Sequence, residues 1–124
     1  MELYSNYLRI RFWGSWNQKT MDECFERTFE KVEAFNGRPW GLLVDMMNWE
    51  FSGPEVIDSW DPCLRKLIDK NLKLHCVACN TTLCEFLIKR HKDNADSNHT
   101  LTGGIFGTVR EAESWFIGQL KNIS

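Results

Sequence analysis

Residues 40–59 constrain the fold of this chain more than any other stretch. The run Leu42–Asp45 begins with three apolar residues, without polar alternation, and ends in an aspartate. A strand that is apolar on both faces is covered on both faces, which is typical of a parallel α/β sheet. Residues 46–51, which include two methionines, a tryptophan and a phenylalanine, predict a loop at the carboxyl end of this strand.

Four helices are predicted, because a serine or threonine is followed three positions later by glutamate at four places. The pairs are Thr20 with Glu23, Ser52 with Glu55, Thr82 with Glu85 and Thr108 with Glu111. In this capping box both side chains accept hydrogen bonds from backbone N–H groups of the first helical turn. Apolar residues at helical spacing follow each pair and predict one buried face per helix. Asn36 and Gly37 predict the end of the first helix, and Pro62 a kink or restart in the second.

The remaining strands are predicted from alternation and from short apolar runs. Tyr7–Phe12 alternates apolar and polar residues, as expected of a half-exposed strand near a sheet edge. Leu3–Tyr4 predicts a short strand before it, and residues 74–79 and 105–106 predict two more. We therefore predict an α/β fold, with a small, mostly parallel sheet of four to five strands, mixed at one edge, and about four helices on both faces. Residues 1–124 are interpreted as a single domain.

Charge and composition narrow the classes of partner. The net charge is −2, and the acidic and basic residues are interspersed without a basic stripe, which argues against nucleic acid. The apolar runs are far shorter than a membrane span, and Met1–Ser5 has no secretory signal pattern. The odd number of cysteines, five, fits reduced buried thiols better than a disulfide framework. We therefore expect a cytoplasmic protein.

No catalytic or metal-binding motif is evident. Cys76 and Cys79 have C-x-x-C spacing but fall within a predicted strand, where residues three apart point to opposite faces. Adding Cys84 and His91 gives four potential zinc ligands without the spacing of a zinc finger or knuckle. The chain has neither a nucleophile elbow nor a glycine-rich phosphate loop. We predict no metal and no cofactor.

The predicted carboxyl ends of the strands carry an unusual number of large apolar side chains. Ligands of open α/β sheets gather at this edge, and loop aromatics often serve binding. The candidate site residues are Trp13, Trp16, Asp45, Met47, Trp49, Phe51, Asn80 and Thr108. They predict a surface for a partner protein, or for a small apolar or anionic ligand held near helix amino termini. In the alternative interpretation, the tryptophans fold down and cap the core.

The order of these units resembles a known group of small domains. Besides Leu42–Asp45, the resemblance depends on residues 106–115, where a short strand precedes a helix with Ala112 and Trp115 in an Ala-x-x-Trp pattern. Both features are similar to the SpoIIAA-like, STAS-related domains. The resemblance implies a mixed sheet with the first one or two strands at an edge, and a family with few assigned activities.

Anti-sigma antagonists of that broader group carry a phosphorylatable serine in an Asp-Ser-Ser/Thr-Gly turn. The nearest string in this chain, residues 57–60, lacks the glycine and falls in a predicted helix. Our first hypothesis is thus a non-enzymatic binding or regulatory module. The alternative is a STAS-type phospho-regulated switch or small enzyme using Asp45, Asp58 and Ser59. A third possibility is a homodimer formed through an exposed strand edge or helix face.

Overall fold

A computed structural model describes residues 1–50, 59–96 and 98–123, and these residues form a five-stranded sheet with four α-helices. The strands are β1 (Glu2–Leu3), β2 (Tyr7–Ser15), β3 (Trp40–Glu50), β4 (Leu72–Ala78) and β5 (Thr102–Phe106). The helices are α1 (Gln18–Val32), α2 (Trp60–Asp69), α3 (Thr82–Ala95) and α4 (Val109–Leu120), and a 3-10 turn (Glu33–Phe35) follows α1. The strands lie side by side in chain order, and only β1 is antiparallel to its neighbour. The predicted α/β class with a mostly parallel sheet is confirmed.

The sheet separates two hydrophobic cores, as the apolar run in β3 predicts. Leu42 and Val44 belong to the first core, which β3 shares with helices α1, α2 and α3. Leu43 points to the other face and joins the second core with Ala112 and Phe116 of α4. Because successive side chains of a strand alternate between faces, β3 needs this cover on both sides.

Gly41 allows β3 and α4 to pack closely. A Cβ atom at this position would lie 2.8 Å from Cζ of Phe116, whose side chain is fully buried. We expect Gly41→Ala to lower the free energy of unfolding by about 1–3 kcal/mol, because the added methyl group overpacks the second core. Urea denaturation measures this change. Gly118→Ala in α4 is the control, because a Cβ there has open space around it. Equal stability of Gly41→Ala and the parent chain would contradict the expectation.

Strands β2 and β3 extend further than their sequence patterns predict. Trp13 and Ser15 belong to β2, and Met47 and Trp49 belong to β3, so the prediction of loops at these positions is wrong. The cause is pairing between the two extensions, in which Gly14 faces Trp49 and Ser15 faces Glu50. A register shift between Arg11 and Trp13 precedes this pairing.

Three of the predicted helix starts fall within the described residues, and two of them are displaced. The cap of α1 is Asn17, whose Oδ1 accepts a hydrogen bond from the Thr20 backbone N–H at 2.9 Å. The cap of α3 is Thr81 rather than Thr82. The cap of α4 is Thr108, as predicted, and its Oγ1 accepts from the Glu111 N–H at 3.2 Å. The predicted box Ser52–Glu55 lies outside the described residues.

Helix α3 extends through residues 92–95, three of which are polar. Asp96 then ends the helix, because its carboxylate accepts hydrogen bonds from the backbone N–H groups of Thr100 and Leu101, at 2.8 and 2.9 Å. The polar composition of this segment reflects the exposed face and the end of a helix.

Candidate functional site

Five aromatic rings, four from β2, β3, α2 and α3 and one from the β2–α1 connection, form a continuous cluster near the carboxyl ends of β2 and β3. We call Phe12, Trp16, Trp49, Trp60 and His91 the aromatic cluster. The ring centroids of Phe12 and Trp16 are 4.2 Å apart, in a stacked arrangement. Trp60 lies at the centre, with its ring centroid 5.6 Å from that of Phe12 and 5.7 Å from those of Trp49 and His91. Trp16 and Trp49 are half-buried against the first core, so part of the predicted surface does cap the core.

Trp13 stands outside this cluster and faces solvent. Its side chain is 63% exposed, the largest exposure among the described large hydrophobic residues. The indole N–H of Trp16 donates to the backbone oxygen of Trp13 at 2.9 Å, which joins the Trp13 backbone to the cluster. The structure therefore brings Trp13 and Trp16 together, and strand pairing places Trp49 beside Gly14.

Polar groups complete this edge of the sheet. We use the term carboxyl rim for five residues that lie at or just beyond the carboxyl ends of the strands: Trp13, Ser15, Glu50, Asn80 and Thr108. Ser15 Oγ donates to Glu50 Oε2 at 2.6 Å, and both residues are exposed. Asn80 and Thr108 are also exposed, and the Thr108 hydroxyl is engaged in capping α4.

Asp45 and Met47 do not reach the aromatic cluster. Both alternate with Val44 and Met46 along β3 and therefore point to the opposite face, toward the second core. The buried Asp45 carboxylate accepts a hydrogen bond from the Met47 N–H at 3.0 Å, and its other oxygen lies 4.0 Å from Nε of Arg11. The carboxylate thus has a structural role within β3.

The three residues of the alternative hypothesis are not brought together by the described part of the chain. Ser59 precedes α2 on the face of the sheet that α1, α2 and α3 cover. Its Oγ accepts a hydrogen bond from Gln18 Nε2 at 3.3 Å. Asp45 points to the other face of the sheet. Asp58, and the candidate residue Phe51, lie outside the described residues.

An ion pair between Asp61 and His91 was missed by the sequence analysis. Asp61 lies in the first turn of α2, and its Oδ1 contacts Nδ1 of His91 in α3. His91 is almost fully buried. It follows Cys84 and Ile88 on the buried face of α3, so helical periodicity extended beyond residue 90 could have placed it in the core.

His75 and Trp60 each bury a ring nitrogen that has no hydrogen-bond partner within the described ranges. These atoms are Nδ1 of His75 and Nε1 of Trp60. Burial lowers the pKa of His75 well below its usual value, and the positive charges of Lys92 and His91 lower it further. The His75 imidazole is therefore neutral at pH 7.

Cys76 and Cys79 point to opposite faces of the sheet, as expected of strand residues three apart. Cys76 lies in the second core, where its thiol donates to the Ala112 carbonyl at 3.6 Å, and burial raises its pKa to about 12. Cys79 lies in the first core. The described residues contain no group of three or more potential metal ligands.

No family model, curated protein or solved structure matches this chain. Within the described ranges, no helix has the length and apolar character needed to cross a membrane. The functional argument therefore depends on the geometry of the site.

Proposed function

We propose that this chain is a non-enzymatic binding module that holds an apolar ligand, or an apolar side chain of a partner protein, on the carboxyl rim. The observation that carries the proposal is the exposure of Trp13, which lies on β2 and whose backbone oxygen accepts a hydrogen bond from Trp16 of the aromatic cluster. Full exposure of a large aromatic surface is unfavourable in water, and covering it with an apolar group recovers that free energy. Because Trp13 lies in β2, its backbone is already ordered before the ligand arrives, which reduces the entropy lost on binding.

The Glu50 carboxylate and the caps of the nearby helices favour a neutral apolar ligand over an anionic one. Glu50 places a carboxylate at the ends of β2 and β3. Asn17, Thr81 and Thr108 already accept hydrogen bonds from first-turn N–H groups of α1, α3 and α4. These helix amino termini therefore offer fewer free donors to an anion.

A phospho-regulated switch or a small enzyme is a weaker proposal. Both hypotheses need Asp45 close to Ser59, and these two residues point to opposite faces of the sheet. The SpoIIAA-like relationship remains a proposal as well. The chain-order sheet with β1 antiparallel at one edge is compatible with it.

Trp13→Ala is expected to weaken binding of the neutral apolar dye Nile red by about fivefold or more, because it removes the exposed anchor of the rim. The free energy of unfolding should stay within about 0.5 kcal/mol of the parent value, as is usual for exposed positions. A fluorescence titration measures the dissociation constant.

Ile117→Ala is the matched control for this experiment. Ile117 is also an exposed hydrophobic residue, with 48% exposure, but it lies on α4 near the end remote from the rim. Equal dye affinities of the two variants would refute the rim as the binding surface. Weaker binding of Nile red than of the anionic dye ANS would refute the preference for a neutral ligand. Native mass spectrometry of freshly purified protein would identify the class of any ligand that co-purifies.

A further inference from the structure

A cavity of about 50 Å³ lies inside the first core, between the sheet and helices α1, α2 and α3. Its walls are mostly hydrocarbon, with Val44 and Val77 contributed by the sheet and Leu64 and Ile88 by the helices. The cavity lies behind the aromatic cluster, because Phe12, Trp60 and His91 are part of its lining.

The two unpartnered ring nitrogens belong to residues that line this cavity. His75 and Trp60 are each 5% exposed, and neither His75 Nδ1 nor Trp60 Nε1 has a hydrogen-bond partner in the described part of the chain. A buried polar group without a partner costs about 1–3 kcal/mol. Native proteins rarely leave such groups unpaired, and two in the lining of one cavity point to a bound species.

The other polar groups of the lining are already engaged. Thr28 Oγ1 donates to the Cys24 carbonyl at 2.8 Å, and His91 pairs with Asp61. His75 is neutral and His91 is paired with the Asp61 carboxylate, so the cavity offers no free counter-charge to an ion. A charged ligand would lose its hydration without compensation, which restricts the site to neutral molecules.

Water alone is a poor occupant of such a cavity. A buried water makes about two to four hydrogen bonds, so His75 Nδ1 and Trp60 Nε1 would supply only the minimum, and the rest of the water would lie against hydrocarbon. A molecule with a hydrocarbon part and one hydroxyl group matches the lining better. A hydroxyl both donates and accepts, so it pairs with His75 Nδ1 in either tautomer of the ring.

We propose that this cavity is a binding site for a small neutral alcohol, whose hydroxyl pairs with the ring nitrogen of His75 or Trp60 and whose hydrocarbon part contacts the valine and leucine walls. The volume sets the size of the ligand. An engineered cavity of about 150 Å³ binds benzene, so this smaller cavity fits a molecule of about two or three non-hydrogen atoms. This site is internal and goes beyond the proposed role of the carboxyl rim.

The test uses ethanol as the probe and xenon as an apolar filler of similar size. Nitrogen-15 NMR follows the His75 imidazole and the Trp60 indole as each probe is added to the intact chain. Ethanol is expected to shift one or both resonances in a saturable manner, while the indole resonance of the exposed Trp13 shows no saturable change. His75→Phe is expected to weaken ethanol binding by about tenfold, because phenylalanine cannot make the hydrogen bond to the hydroxyl group.

A second variant keeps the proposal testable if His75→Phe does not fold. Val77→Ile adds one methylene group to the cavity wall and is expected to abolish the binding of both probes. The proposal is overturned if no saturable shift occurs, if His75→Phe binds ethanol as tightly as the parent, or if a crystal soaked in ethanol shows only ordered water. Trp13→Ala should leave ethanol binding intact, so a failure of the rim proposal is distinguishable from a failure of this one.

Discussion

Trp60→Ala is expected to lower the free energy of unfolding by about 3–5 kcal/mol, the range for removal of a large buried aromatic ring. The Trp60 side chain is 5% exposed and is the ring that connects Phe12, Trp49 and His91 in the aromatic cluster. Its loss removes the apolar burial of one indole and leaves a void that the sheet and α2 close only in part. Urea denaturation at pH 7 measures the difference.

Trp60→Phe and Trp13→Ala are the two comparisons that make this result specific. Trp60→Phe keeps a ring in the cluster and removes a buried N–H that lacks a partner among the described residues. Its loss of unfolding free energy should therefore be well below that of Trp60→Ala. Trp13→Ala removes an indole of the same size that is mostly in water, and it should change stability by no more than about 0.5 kcal/mol. Similar losses for Trp13→Ala and Trp60→Ala would contradict the assignment of one indole to the core and the other to the rim.

These two tryptophans also show how far the sequence alone predicts the site. Sequence reasoning gathered Trp13, Trp16 and Trp49 along one edge because each follows an apolar or alternating run. It could not decide between a loop and a strand, because that depends on whether β2 and β3 pair beyond their buried parts. Pairing of Ser15 with Glu50 depends on the tertiary structure, and neither segment predicts it separately.

More of the fold than of the site could be predicted from the sequence, since the sequence patterns that predict strands and helices are local. The apolar run Leu42–Asp45 predicted a central strand covered on both faces, and the two cores confirm it. The cap of α1 was misplaced because Asn17 and Thr20 are both suitable residues, and Asn17 accepts the Thr20 N–H in the folded chain. Local preference gives such helix starts only to within a few residues.

Contacts between distant residues gave no comparable signal in the sequence. The Asp61–His91 pair joins α2 to α3 across 30 positions of the chain. His75 lies in a strand whose neighbours are apolar, so its burial was predictable from the run but its lack of a partner was not. Partners of buried polar groups depend on how helices cross the sheet, which spacing along one element does not specify.

The stability of the chain is expected to fall as the pH drops from 7 to 5, and His75 is expected to be a principal cause. Burial, followed by the charges of Lys92 and His91, holds the pKa of folded His75 well below its usual value. In the unfolded chain this histidine has a pKa of about 6.5. Below that pH the unfolded state binds a proton that the folded state does not, so unfolding becomes more favourable. The loss approaches about 1.4 kcal/mol per pH unit until the folded pKa is reached.

The pH window for this experiment avoids the titration of Asp96. Burial raises the pKa of Asp96, but hydrogen bonds from Leu101 and Thr100 outweigh that effect and lower it. Its contribution to stability is therefore lost only below a pH of about 4, outside the range from 7 to 5.

His75→Phe isolates the contribution of this one ring, because phenylalanine keeps an aromatic side chain and cannot titrate. Urea denaturation at pH 7, 6 and 5 should show a slope of stability against pH that is shallower in this variant by about 1 kcal/mol per pH unit. His99→Asn is the control, since His99 is exposed and asparagine tolerates its positive φ of 52°. Parallel slopes for His75→Phe and the parent chain would mean that His75 is protonated in the folded protein. The neutral cavity inferred above would then have to be abandoned, because a charged imidazole beside it would attract water or an anion instead of an alcohol.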